Sequence, residues 1–200
     1  PDIVAVHPSV PANTLTELVK WLAEQPQTVR YGTSGVGNQP HLWAELLRAR
    51  LNMKMENVAY KGVADTLRDV LAGHVPIIID VVLPTDNHVA AGRLKGICVA
   101  SPERSSICPT VPTVGELGMK DMESAVFYGL VAPAGVPRPI IDRLNGLVQE
   151  AIKDPAVVKK YSDLGFFMTG STPEAYLEKL KFETVRWTKV VKDNGIKVEG

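Results

Sequence analysis

The sequence alternates short runs of β-branched and apolar residues with amphipathic stretches, and this alternation constrains the fold more than any other feature. Strands are predicted where the apolar runs are short and bounded by Gly, Pro, Asn or Asp. They are Ile3–His7, Val29–Gly32, Asn57–Tyr60, Pro76–Asp80 and Leu94–Ala100. Because helical stretches separate most of these runs, the pattern predicts an α/β fold.

The intervening stretches have helical spacing and recognisable helix starts. Thr14 and Glu17 have the spacing of a capping box, in which a hydroxyl and a carboxylate satisfy the first amides of a helix. The helix that follows is predicted to bury one face. That face consists of Leu15, Leu18, Val19 and Leu22. In the next helix, from Pro40 to about Leu51, Leu42, Leu46 and Leu47 are predicted to point inward.

The last third of the chain has a different pattern of predicted elements. A single strand is predicted over Val126–Ala132, and three helices follow it over Pro139–Ile152, Pro155–Leu164 and Thr172–Lys192. One strand cannot form a sheet by itself. We therefore expect residues 8–125 to form one complete lobe, and residues 126–200, together with 1–7, to form part of a second. The apolar stripes of its helices would then be exposed, which favours a homo-oligomer.

Charge and composition exclude several classes of function. The 22 basic and 22 acidic residues give a formal net charge of zero. This balance provides no electrostatic footprint for nucleic acid. The four histidines are widely separated and form no metal-binding motif. No cofactor is expected either, because Gly35-Val36-Gly37 resembles a dinucleotide fingerprint whose third glycine position is occupied by Pro40.

A glycine-rich segment between a strand and a helix is the strongest candidate binding site. It runs from Tyr31 to His41, and its candidate ligand residues are Thr33, Ser34, Gly35, Gly37, Asn38 and His41. Glycines allow close approach of a ligand to the backbone, and the amides at a helix start attract anions. An equally good interpretation is an ordinary turn in which Asn38 or Gln39 caps the helix.

Two further positions repeat the pattern of a strand that ends near a ligand edge. Gly62 precedes a helix start at which the amides of Val63 and Ala64 could bind an anion. Asp80 closes a very apolar strand and could contact a hydroxyl or amino group of a ligand, since ligands of α/β lobes bind at the carboxyl ends of the strands. Capping of the turn near Pro84 is the alternative role for Asp80.

No catalytic residue is predicted, although a small α/β hydrolase using Ser34 is the alternative to a binding protein. Ser34 is not in a Gly-x-Ser-x-Gly elbow. A nucleophilic serine also requires a histidine within hydrogen-bond reach. His41, the one histidine close to Ser34 in sequence, is predicted to lie inside the following helix.

Several segments, in the same order along the chain, resemble the tripartite tricarboxylate transporter receptor family, also called the Bordetella uptake (Bug) receptors. The resemblance covers essentially the whole chain. It is carried by Pro8–Asn13, Tyr31–Leu42, Tyr60–Gly62, Leu71–Gly73, Pro109–Val114, Phe127–Gly135 and Trp187–Ile196.

This resemblance implies a hinged, two-lobe receptor with the fold of periplasmic binding proteins, one lobe complete and the other partial. It implies a small organic acid or amino acid as ligand, with Phe127 among the binding residues. It also implies membrane permease subunits as partners and a location in the periplasm. Relative to the family, an N-terminal segment that supplies much of one lobe is expected to be missing. A receptor that signals to a membrane sensor is the remaining alternative.

Overall fold

The computed structural model describes residues 1–162 and 166–197, and it divides into two compact units. Unit 1 consists of Pro1–Val126 and Val190–Gly200, and unit 2 consists of Phe127–Lys189. Within the described ranges, no helix has both the length and the apolar character needed to cross a membrane.

Unit 1 is built on a five-stranded mixed sheet with the order β3-β2-β4-β1-β5. The central strands β2 and β4 are parallel to each other, β3 is parallel to β2, and β1 is antiparallel to both of its neighbours. The strands are β1 Asp2–Val6, β2 Val29–Thr33, β3 Met55–Ala59, β4 Ile77–Val81 and β5 Lys95–Val99. The helices are α1 Leu15–Glu24, α2 Gln39–Arg50, α3 Val63–Leu71 and α4 Val82–Ala90, followed by a short 3-10 helix at Lys120–Met122. The α/β fold predicted from the sequence is confirmed.

The structure corrects the predicted boundaries of the first lobe. Residues 1–7 were expected in the partial second lobe, but β1 lies between β4 and β5 in the sheet of unit 1. All five of its residues are buried, as expected for a strand that is covered on both faces of a sheet. The end of the chain also returns to unit 1, where Val190 is buried and the Arg48 guanidinium donates a hydrogen bond to the side-chain oxygen of Asn194.

The predicted helix starts are present, with small differences in which side chains are buried. The Thr14 hydroxyl accepts a hydrogen bond from the Glu17 amide at 3.2 Å, and the Glu17 carboxylate accepts one from the Asn13 amide at 2.7 Å. In α2, Leu47 is buried as predicted, but Trp43 occupies the interior more fully than Leu42 or Leu46. The Trp43 ring nitrogen donates to the carbonyl of Met122 at 2.8 Å, which satisfies its polar atom inside the core.

Unit 2 contains three helices in its described residues, 127–162 and 166–189. They are α5 Arg138–Ala151, α6 Pro155–Ser162 and α7 Pro173–Asp193, the last of which continues into unit 1. The predicted C-terminal end of the second of these helices, Leu164, lies outside the described residues.

The strand predicted over Val126–Ala132 is wrong, because this segment has no regular structure. A strand is stable only when a neighbouring strand pairs with it, and the described residues of unit 2 supply none. Several large apolar side chains in this segment and on α5 and α7 are between 46% and 81% exposed. They include Tyr128, Leu130, Val131, Ile140, Leu144, Leu147 and Leu177. Self-association of the chain through these side chains stays a prediction.

Helix α3 packs directly on the backbone of β2. A Cβ atom added to Gly32 would lie 2.7 Å from the Thr66 methyl group and 3.2 Å from the Tyr60 ring. Thr66 is fully buried, so its methyl group cannot move aside easily. Gly32 is therefore required for the close approach of α3 to the sheet.

We predict that Gly32→Ala lowers the free energy of unfolding by about 1–3 kcal/mol, because the added methyl group overpacks the contact with Thr66. Gly62→Ala is the matched control, since a Cβ at Gly62 meets no atom within 4 Å. Urea denaturation of both variants measures the difference. Equal stability of the two variants would show that α3 does not depend on this contact.

Candidate functional site

The candidate site lies at one edge of the sheet, where three parallel strands end. The Tyr60–Gly62 turn follows β3 and the Ser34–Asn38 loop follows β2, while Asp80 and Val81 are the last two residues of β4 before α4. The first two are adjacent, because a Cβ on Gly35 would lie 3.9 Å from the carbonyl oxygen of Tyr60. This is the edge at which ligands of open α/β sheets bind.

Ser34 and Asp80 are joined at this edge by a direct hydrogen bond. The Ser34 hydroxyl donates to Asp80 Oδ1 at 2.9 Å, and the Val81 amide donates to the same oxygen at 2.8 Å. Asn38 Nδ2 in turn donates to the Ser34 hydroxyl oxygen at 3.0 Å. The sequence-predicted residues Ser34, Asn38 and Asp80 therefore form one hydrogen-bonded chain.

Burial works against ionisation of the Asp80 carboxyl group. Its side chain is fully buried, and this desolvation raises the pKa of the carboxyl group, although hydrogen bonds from Val81 and Ser34 oppose the shift. Its second oxygen, Oδ2, is buried and has no hydrogen-bond partner among the described residues.

The start of α2 is capped by its own side chains. Asn38 Oδ1 accepts a hydrogen bond from the His41 amide at 3.1 Å, and the Gly37 amide donates to His41 Nδ1 at 2.9 Å. Burial lowers the pKa of His41, which agrees with a neutral ring that accepts this bond. Gly37 and His41 are both predicted ligand residues, and their amides are occupied by protein groups. Gly37 adopts a left-handed conformation with φ of 74°, which accounts for the glycine.

The start of α3 differs because no side chain caps it. Gly62 is the N-cap residue and makes no side-chain hydrogen bond, so the cap leaves the first-turn amides of Val63 and Ala64 to other acceptors. The Thr66 amide donates to the carbonyl of Gly62 at 3.2 Å, which fixes the first turn. Of the two helix starts predicted to attract an anion, α3 is the better candidate.

Register places this helix start on the same face of the sheet as Ser34 and Asp80. Gly32 pairs with Ile78, and a Cβ on Gly32 would point at Thr66 of α3. Side chains alternate between the two faces of a sheet, so the residues two positions further on share that face. Those residues are Ser34 and Asp80, which are hydrogen-bonded to each other.

The remaining predicted residues have structural contacts. Thr33 is fully buried and its hydroxyl donates to Asn57 Oδ1 at 2.8 Å, which ties β2 to β3. Phe127 belongs to unit 2, where its ring meets Tyr176 edge-on with centroids 5.9 Å apart. Lys179 Nζ lies 4.7 Å from the Phe127 ring centroid in the same unit. A role of Phe127 in ligand binding stays a prediction.

Two polar contacts of Gln39 near the site are not predictable from local sequence. Gln39 Nε2 donates hydrogen bonds to Asp2 Oδ2 and to the Ser124 hydroxyl. The sequence predicts Gln39 only as a possible helix cap. No motif around Asp2 or Ser124 predicts a contact with it. The contacts span 37 and 85 residues of sequence, so only the fold could bring them together.

The chemistry of the site favours binding through hydrogen bonds. The described partners of the Ser34 hydroxyl are Asp80 and Asn38, whereas His41 Nδ1 accepts from the Gly37 amide. The described residues contain no group of three or more His, Cys, Asp or Glu side chains that could hold a metal ion.

Comparison with known proteins places the chain among transport receptors. A model of the tripartite tricarboxylate transporter family receptor matches residues 1–196. A UPF0065 protein of a Pseudomonas species is 33% identical over 96% of this chain and 57% of its own length. BugT of Bordetella pertussis is 28% identical over 100% of this chain and 61% of its own length. The chain therefore spans about 60% of these curated relatives.

Solved structures show the same relationship. A periplasmic transporter is 30% identical, with a TM-score of 0.82 over 99% of this chain and 66% of its own. An R. palustris protein solved with adipate is 28% identical, with a TM-score of 0.81 over 98% and 66%. MatC from Rhodopseudomonas palustris, solved with bound malate, is 26% identical, with a TM-score of 0.75 over 96% and 66%. On the match across residues 1–196, the chain belongs to the tripartite tricarboxylate transporter receptor family, whose members are periplasmic solute-binding receptors.

Proposed function

We propose that this chain holds a small organic acid or amino acid in the periplasm and delivers it to the membrane subunits of a tripartite tricarboxylate transporter. One observation supports the proposal most strongly. The start of α3, which no side chain caps, lies beside the Ser34–Asp80 pair at the carboxyl edge of three parallel strands. A helix start has a partial positive charge and unpaired amides, so it suits a carboxylate.

The polar groups beside the helix start suggest how the rest of the ligand is bound. Ser34 and Asn38 offer neutral hydrogen-bonding groups beside the helix start. We assign Asp80 the role of an acceptor for a ligand hydroxyl or amino group. The relatives solved with adipate and with malate support a carboxylate as the ligand class.

Binding without chemical conversion agrees with the contacts of Ser34. A hydrolytic serine would donate its hydroxyl proton to an imidazole. Here the hydroxyl donates to the Asp80 carboxyl group, and the nearest histidine in sequence uses Nδ1 to accept a backbone amide. This hydrogen bonding positions Ser34 as a fixed binding group.

We predict that small mono- and dicarboxylates, including malate and adipate, raise the melting temperature of the protein in its full encoded length. Carboxylates bind the native state at the α3 start, and any ligand specific for the native state stabilises it. Thermal-shift screening against organic acids, amino acids, sugars and inorganic phosphate measures the effect. A shift with sugars alone would contradict the proposed ligand class.

A backbone substitution tests the helix start itself. Val63→Pro removes one first-turn amide, and proline is well tolerated at the first position of a helix. We predict that it weakens binding of the acid with the largest thermal shift by about 1.5–3 kcal/mol, the value of a hydrogen bond to a charged group.

The control for this substitution is Val63→Ala, which shortens the same side chain but keeps the amide. Titration calorimetry of both variants separates the amide from the side chain. If both bind the acid as tightly as the unmodified protein, the carboxylate is not held by the start of α3.

A further inference from the structure

Asp2 is the first residue of β1, and only one of the two oxygens of its buried carboxyl group has a hydrogen-bond partner among the described residues. Its side chain is fully buried, and its Cα pairs with Val81 across the sheet. Oδ2 accepts a hydrogen bond from Gln39 Nε2. Oδ1 is equally buried and has no partner among the described residues.

Gln39, the first residue of α2, also has a buried side-chain oxygen that lacks a hydrogen-bond donor among the described residues. Its amide nitrogen carries two hydrogens, and these are directed to Asp2 Oδ2 and to the Ser124 hydroxyl, which is 2.9 Å away. Its oxygen Oε1 is buried and also has no partner in the described part of the chain. The same two side chains thus hold two buried acceptors without a donor, an arrangement that folded proteins avoid.

A single proton satisfies both acceptors. A carboxylic acid protonated on Oδ1 can donate to Gln39 Oε1 while its Oδ2 continues to accept from Gln39 Nε2. The two side chains then form a closed acid–amide ring with two hydrogen bonds, and the second hydrogen of Nε2 remains on Ser124. An ionised Asp2 would leave both buried oxygens unpaired.

We propose that Asp2 is held as the neutral acid in an acid–amide ring with Gln39, and that this ring is a proton-dependent anchor for the start of α2. Gln39 directly follows Asn38, which caps α2 and bonds Ser34. The anchor therefore fixes the loop at the candidate site to β1 and to Ser124. It does not depend on which ligand the protein binds.

The charges around Asp2 agree with a proton that is held near neutral pH. Burial is the largest influence and raises the pKa of Asp2 to about 7. The Gln39 hydrogen bond lowers the pKa, whereas the Asp80 carboxyl group raises it further. Gln39 and Ser124, which reach Asp2 and its ring from the other elements, are uncharged.

The sign of the resulting pH dependence follows from the shift. An unfolded Asp titrates near about 3.9, so between about pH 4 and pH 7 the folded chain holds a proton that the unfolded chain has released. Across this window Asp2 makes the unfolding equilibrium constant rise by about tenfold for each unit of increasing pH. This contribution to stability is complete below the unfolded pKa and is lost as the pH rises through the folded one.

Asp2→Asn tests the ring, because an asparagine amide can donate to Gln39 Oε1 and accept from Gln39 Nε2 without a titrating proton. We expect this variant to melt at a higher temperature than the unmodified chain at about pH 8.5, to match it at about pH 4, and to lose the corresponding pH slope. A variant that is less stable at both pH values would overturn the proposal, since it would show that Asp2 acts as a carboxylate.

A direct titration of the unmodified 200-residue chain keeps the proposal testable even if the variant does not fold. The carbon-13 shift of the Asp2 carboxyl carbon is followed by NMR as a function of pH. The expected midpoint for Asp2 is about 7. A midpoint at the ordinary value near about 4 would contradict the neutral acid.

Discussion

The close approach of α3 to the bare backbone at Gly32 determines the geometry of the candidate site. Because Gly32 has no side chain, the Thr66 methyl group in the first turn of α3 lies directly against β2. Ser34 lies two residues after Gly32, and Asp80 lies two residues after Ile78, the strand partner of Gly32. The two side chains share this face of the sheet and are hydrogen-bonded to each other. A larger residue at position 32 would separate the helix start from these side chains.

The two helix starts at this edge differ because their cap residues differ chemically. Asn38 has a side-chain oxygen that accepts the His41 amide, so α2 satisfies its own first turn. Gly62 has no side chain, so α3 leaves its first amides to water or to a ligand. The same comparison explains why a glycine-rich loop alone is a poor guide to an anion site: the residue at the cap decides whether the amides are available.

Local chemistry made much of the fold and part of the site predictable from the sequence. The alternation of strands and helices, the Thr14–Glu17 capping box and the position of Asp80 at a strand end all depend on neighbours in sequence. The membership of β1 in the first sheet was not predictable in this way, because an apolar strand can pair with any available edge. The Gln39 contacts with Asp2 and Ser124 likewise depend on the completed topology.

The predicted strand at Val126–Ala132 failed for a related reason. Its β-branched and aromatic residues suit a strand, but a strand requires a partner, and composition cannot supply one. The burial of Trp43 likewise could not be predicted from the local sequence pattern. Helical periodicity placed Leu42 and Leu46 inward, whereas the large ring that reaches the Met122 carbonyl takes the interior position.

Native mass spectrometry of the full-length protein purified from its host is the most direct measurement of whether the protein is, as we propose, a receptor for a small carboxylate. We expect a population with one bound molecule whose mass and fragmentation identify a small organic acid or amino acid. Gentle release of that molecule should leave it chemically unchanged. A bound sugar or phosphate ester, or a covalent adduct on Ser34, would show that the protein is not a receptor for a small carboxylate.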